Sequence, residues 1–269
     1  MKIQDQREVQ RHGPTPWIVR DAPGGLPVRI RRQAPVSAEI ADTVARAYQV
    51  NRRVFGRDLP FFDFVICDDD LSWKKESREY YAPWARAVAL RDGTVVIKTP
   101  KNGGGFRAEF EELAKHEINH VFWCFLHAGR RERWCPFWLA EGLACHIAGR
   151  QYSPPAGALA GYRNKVASVI RLFPYRYRSG FLRSREDLIV YYALWSSFTG
   201  ALLEAHGAAV VEVILRHAKQ PGCASFSSLC QKMFGQPLGS LIREFVRTRV
   251  DALGRRARPR TKKIKKEKR

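Results

Sequence analysis

At 269 residues, with 45% hydrophobic and 12% aromatic content, the chain is long and apolar enough to bury a core, which excludes an intrinsically disordered protein. Forty-seven basic against 26 acidic residues leave a net charge of +21, and the segment from Gly254 to Arg269 holds ten Lys/Arg against Glu267 alone. The first residues lack the apolar core of a signal peptide, and no apolar run approaches the roughly 18 residues of a membrane span, so a soluble, cytoplasmic protein is expected.

Residues 1–16 read as a polar leader. Trp17 to Arg20 and Val28 to Arg31 then flank Pro23-Gly24-Gly25, which predicts a hairpin. Ser37 is placed to cap a helix with Ile40, Val44, Ala47, Tyr48 and Val54 on one face, and Gly56 is placed to end it. Phe62 to Cys67 reads as a buried strand running into the acidic turn Asp68-Asp69-Asp70. Ala85 to Leu90 and Thr94 to Lys98 surround Asp92-Gly93, the strongest hairpin signal in the chain. This first half, residues 17–105, is expected to be a mixed sheet with one helix.

After Gly103-Gly104-Gly105 the patterns become helical: near Phe106 to His127, Pro136 to Gly149, Gly161 to Leu172, Arg185 to His206, Ala208 to Ala218, Ser225 to Phe234 and Leu238 to Ala252. A sheet lobe followed by a helical lobe over 106–252 makes an α+β fold. Residues 253–269 form a low-complexity basic tail, expected to be disordered alone. The six cysteines contain no C-x-x-C pair and are expected as reduced thiols.

The chemistry concentrates in His116-Glu117-Ile118-Asn119-His120. Residues four apart on a helix share a face, so His116 and His120 can present two imidazoles to one ion. Glu117, rotated by about 100° from His116, can reach the attacking water instead of the metal. Phe110, Leu113, Ile118, Val121 and Phe125 are available on this helix for the core. A hydrolytic zinc site needs a third protein ligand and an open fourth position. His127 lies about 10 Å farther along the helix axis than His120 and cannot join the shell. Cys124, Cys135 and Cys145 could ligate zinc, but thiolates tend toward closed structural sites. The better candidate is Glu141 in Trp138-Leu139-Ala140-Glu141-Gly142-Leu143-Ala144: a carboxylate in so apolar a helix is costly unless something compensates it. One zinc ion per chain, held by His116, His120 and Glu141, is the resulting expectation.

These two segments, with 20 residues between His120 and Glu141, resemble the gluzincin metallopeptidases, and within them the peptidase-MA-like proteins related to the catalytic domains of aminopeptidase N and thermolysin. The resemblance extends to the run from Tyr192 to Leu202 and to His206-Gly207, and more loosely over about Trp17 to Val250. It implies a thermolysin-like arrangement with the zinc cleft between the lobes and a peptide or protein substrate. It further implies Glu117 as general base, an edge strand that aligns an extended peptide, and a tyrosine that stabilises the oxyanion. Register places Tyr192 in that last role, with Tyr191 as its neighbouring competitor. Two departures stand out: no glycine-and-glutamate motif for a substrate's free amine is present, and the position four after Glu141, a supporting carboxylate in thermolysin-like enzymes, is Cys145. Two other readings remain beside the peptidase: a catalytically silent binding module of the same fold, and a nucleic-acid-binding protein with a structural zinc. In either, the tail would supply the contact with nucleic acid or an acidic partner.

Overall fold

The computed structural model describes residues 18–99, 106–126, 136–149, 185–207, 210, 211, 213, 214 and 226–250. Strands β1 (Ile18–Asp21) and β2 (Val28–Arg32) form the first predicted hairpin, with Ile18 opposite Arg32 and Asp21 opposite Arg29. Helix α1 (Ala38–Phe55) begins where the Ser37 hydroxyl accepts the Ile40 N–H at 3.2 Å. It ends where the Gly56 N–H, in left-handed backbone, donates to the Arg52 carbonyl at 2.8 Å. Its buried stripe runs Val44, Tyr48, Asn51, Phe55. Val54 is only partly buried, because one further residue of about 100° carries Phe55 into the core instead.

Strand β3 (Phe62–Cys67) runs parallel to β2. The acidic turn that follows starts a helix that was not expected: the Asp69 carboxylate accepts the Ser72 N–H at 2.6 Å and caps α2 (Asp70–Ser77). The described residues of 17–105 therefore carry two α-helices rather than the one expected. Strands β4 (Ala87–Ala89) and β5 (Val95–Lys98) form the second predicted hairpin. Its turn is closed by the Leu90 N–H donating to the Thr94 carbonyl at 2.8 Å, with Gly93 at φ 89°.

The five strands order as β1-β2-β3-β5-β4, with β2, β3 and β5 mutually parallel and both edge strands antiparallel to their neighbours. The strand period of two sorts β3 between two cores. Phe64 and Ile66 join the main core under α1, while Val65 and Cys67 turn to the other face and pack with Trp73 of α2.

The remaining elements are helices α3 (Phe106–Leu126), α4 (Phe137–Ala148), α5 (Arg185–His206), α6 (Phe226–Phe234) and α7 (Leu238–Phe245), the last running into a π turn at Val246–Val250. α3 lies on the sheet and on α1, α4 packs on α3, and α5 packs on α4. At the α1–α3 seam the Phe55 and Phe122 rings stack at 5.0 Å, with Trp123 edge-on to Phe55 at 5.5 Å. Phe125, expected in this core, is 45% exposed; Phe122 and Trp123 fill the seam in its place. Val210, Val211, Val213 and Ile214 are the described helical part of the predicted 208–218 segment. The leader, the tail and the helix expected at Gly161 to Leu172 lie outside the described residues. Among the described residues no helix is long and apolar enough to cross a membrane, and the architecture is α+β with a five-stranded mixed sheet.

Candidate metal centre

α3 presents His116 and His120 one turn apart, with their Nε2 atoms 3.1 Å from each other and their rings near-perpendicular at 78°. α4 crosses this face and delivers Glu141, whose Oε2 lies 3.4 Å from His116 Nε2 and whose Oε1 lies 3.5 Å from His120 Nε2. Among the described residues this trio is the one group of His, Cys, Asp and Glu with its ligand atoms gathered within 4.8 Å. Tetrahedral coordination with bonds of about 2.0–2.1 Å requires ligand atoms about 3.3–3.4 Å apart. The separation of the two imidazole nitrogens and that of each from its nearer Glu141 oxygen are of this order.

Burial sharpens the point. His116 is 5% exposed and Glu141 8%, and Glu141 Oε2 makes no hydrogen bond. A buried carboxylate oxygen without a hydrogen-bond donor is costly unless a cation compensates it. Burial by itself would push the Glu141 carboxyl up, but the charge and hydrogen-bonding reach of His120 and His116 hold it well below the usual carboxylate range. Burial likewise opposes a charge on His120, and the Glu141 carboxylate overcomes it, raising His120 to about 9. A borderline-soft divalent ion matches two imidazoles and one carboxylate.

Glu117 is 7% exposed, on the turn of α3 that carries His116. Tyr192, on α5, sets its ring 6.3 Å from that of His116. Tyr191 stacks on Trp195 at 5.5 Å, one helical turn along the same helix. The approach of α5 to α4 is set by Gly142: a Cβ there would lie 2.5 Å from the Trp195 carbonyl oxygen and would also strike Thr199 Oγ1. Absence of a side chain beside the acid is what allows the two helices to come this close.

One contact had no signal in residue spacing. Asn119, fully buried, donates from Nδ2 to Asn51 Oδ1 at 2.8 Å, and Asn51 Nδ2 donates to the Lys115 carbonyl at 2.9 Å and to the Ala47 carbonyl at 3.0 Å. This buried amide pair fixes the rotation of α3 against α1, and so the direction in which His116 and His120 point. Cys145 Sγ lies 3.8 Å from His116 Nδ1. Cys124 is exposed and stands apart from the trio, while His127 and Cys135 lie outside the described residues. Among the described residues Cys67, Cys124, Cys145 and Cys230 are free cysteines.

The edge hairpin runs beside α3. Arg86, just before β4, reaches Glu109 of α3 at 3.4 Å, and Gly93 at the far end sits over Val121. Those two anchors bracket His116 and Glu117. Comparison of the sequence with models of known protein families gives no match, and comparison with curated proteins gives none either.

Proposed function

We propose that this chain is a zinc-dependent metallopeptidase of gluzincin type, with a thermolysin-like cleft, in which His116, His120 and Glu141 hold one zinc ion. The observation that carries the reading is the gathering of ligand atoms from His116, His120 and buried Glu141 within 4.8 Å of one another, with Glu141 Oε2 making no hydrogen bond. Zinc in such a site acidifies a coordinated water and polarises a carbonyl group.

The protein's own groups would do the rest. Glu117 takes a proton from the attacking water and returns it to the leaving nitrogen, so its carboxylate must start unprotonated. Tyr192, beside His116, donates its phenolic hydrogen to the oxyanion that develops at the substrate carbonyl. The alternation of ladder bonds in β4 supports a role for that edge. Arg86 and Leu90 bond to β5, through the Lys98 N–H at 2.8 Å and the Thr94 carbonyl at 2.8 Å, so Ala87 and Ala89 direct their backbone groups away from the sheet. An extended peptide can pair with those groups as an added strand, which gives affinity with little demand on sequence.

The test is zinc content per chain measured beside hydrolysis of an unstructured protein, with and without chelator. One zinc per chain and chelator-sensitive cleavage are expected. Zinc without cleavage of varied substrates would favour the silent binding module, and absence of zinc would sink the reading.

A further inference from the structure

We infer that Cys145 is the positioning residue for His116, holding the imidazole by its Nδ1 so that Nε2 faces the other two ligands. The inference rests on the zinc-site reading above and deepens it. His116 Nε2 is the ring nitrogen turned to the trio, 3.1 Å from His120 Nε2 and 3.4 Å from Glu141 Oε2. A nitrogen that offers a lone pair to a metal leaves the proton on the other nitrogen, which must then find an acceptor. At His116 Nδ1 that acceptor is Cys145 Sγ, 3.8 Å away and fully buried. Sulfur is a weak, large acceptor, and a long N–H···S contact of this length fits it better than an oxygen contact would.

The placement also ties two ligands together. Cys145 lies one turn beyond Glu141 on α4, so the helix that supplies the third ligand also braces the first. A shift of α4 would move Glu141 and loosen His116 at once. Core packing accounts for the burial of Cys145, and the contact of its sulfur with His116 Nδ1 is the added observation on which the inference stands.

The test uses the full chain with Cys145→Val, which keeps an apolar side chain of similar bulk, Cys145→Ala, and Cys145→Ser as the variant that keeps an acceptor. Zinc dissociation constants come from competition with a chromophoric chelator, thermal melts of the zinc-free proteins serve as the packing control, and 15N signals of histidine-labelled protein report the His116 tautomer. Loss of a partner of this kind weakens metal binding by roughly 10–100-fold. That loss is expected in the Val and Ala variants, with partial recovery in the Ser variant and a changed His116 Nδ1 signal. Wild-type zinc affinity in Cys145→Val would overturn this inference and leave the peptidase reading standing. A wild-type chain that binds no zinc would overturn both.

Discussion

Gly142→Ala sets two known effects against each other, and the structure decides between them. In a helix interior alanine is favoured over glycine by about 1 kcal/mol. Here, however, the new Cβ would lie 2.5 Å from the Trp195 carbonyl oxygen and would press on Thr199 Oγ1 as well. An ordinary carbon–oxygen contact is longer by nearly 1 Å, and the obstacle is the backbone of α5, which no rotamer change can move. Overpacking of this kind costs about 1–3 kcal/mol. The steric term should therefore win, leaving a net loss of about 1–2 kcal/mol at the upper part of that range and a fall in Tm of roughly 2–8 °C for a domain of this size. Because Glu141 is the preceding residue, the outward shift of α4 should also weaken zinc binding, and this sets the substitution apart from a simple stability loss. Circular-dichroism melts and chelator competition measure the two effects. A variant as stable as the parent, with unchanged zinc affinity, would refute the claim that a bare backbone at 142 sets the helix spacing.

The buried amide pair makes a separable prediction. Asn119→Ala leaves Asn51 Oδ1 without the donor it has at 2.8 Å, at a cost of about 1–3 kcal/mol, and a urea titration of Asn51→Ala, Asn119→Ala and the double variant should show strong coupling. Additive losses would contradict it. Asp68 supplies a pH dependence. Burial by itself raises its carboxyl, but hydrogen bonds from Arg32 and Thr99 and the Arg32 charge outweigh this and hold it below its ordinary value. A lowered folded-state value contributes stability that is full above the unfolded-state value near 4 and is lost as pH falls through the folded one. Asp68→Asn should therefore be less stable than the parent at pH 7, with the two converging in acid; a gap that widens toward pH 3 would be the wrong sign. Glu141→Gln keeps the shape of the third ligand but removes its charge, and should lower zinc content while Glu117→Gln does not, as metal analysis of the purified proteins would show.

How far the residues themselves foretold this arrangement depends on whether a signal was local. α3, α4 and α5 are apolar-rich runs of 21, 12 and 22 residues, and their described bounds fall within a residue or so of those expected. Ser37, Gly56 and Asp92-Gly93 act through local backbone chemistry and are found where that chemistry predicts. α2 went unread because, of its eight residues, Trp73 alone is a buried apolar side chain, so no stripe announces it; the cap at Asp69 was its one local mark. Phe125 was assigned inward from periodicity, yet the aromatic seam with α1 is filled by Phe122 and Trp123. The Asn51–Asn119 bond joins positions 68 residues apart, and nothing in the spacing of either could reveal it. Register points to Tyr192 over Tyr191, and on α5 both rings lie against Trp195, at 5.5 and 5.6 Å, while the Tyr192 ring also lies 6.3 Å from that of His116.

The most direct measurement compares hydrolysis of an unstructured protein by the parent and by Glu117→Gln at matched zinc content. Removing a general base of this kind lowers the rate by about 10²–10⁴-fold. One zinc per chain in both proteins, with turnover reduced by at least about 100-fold in the variant, is the predicted result. Equal turnover in the two proteins would contradict the assignment of Glu117, and with it the mechanism built on His116, His120 and Glu141.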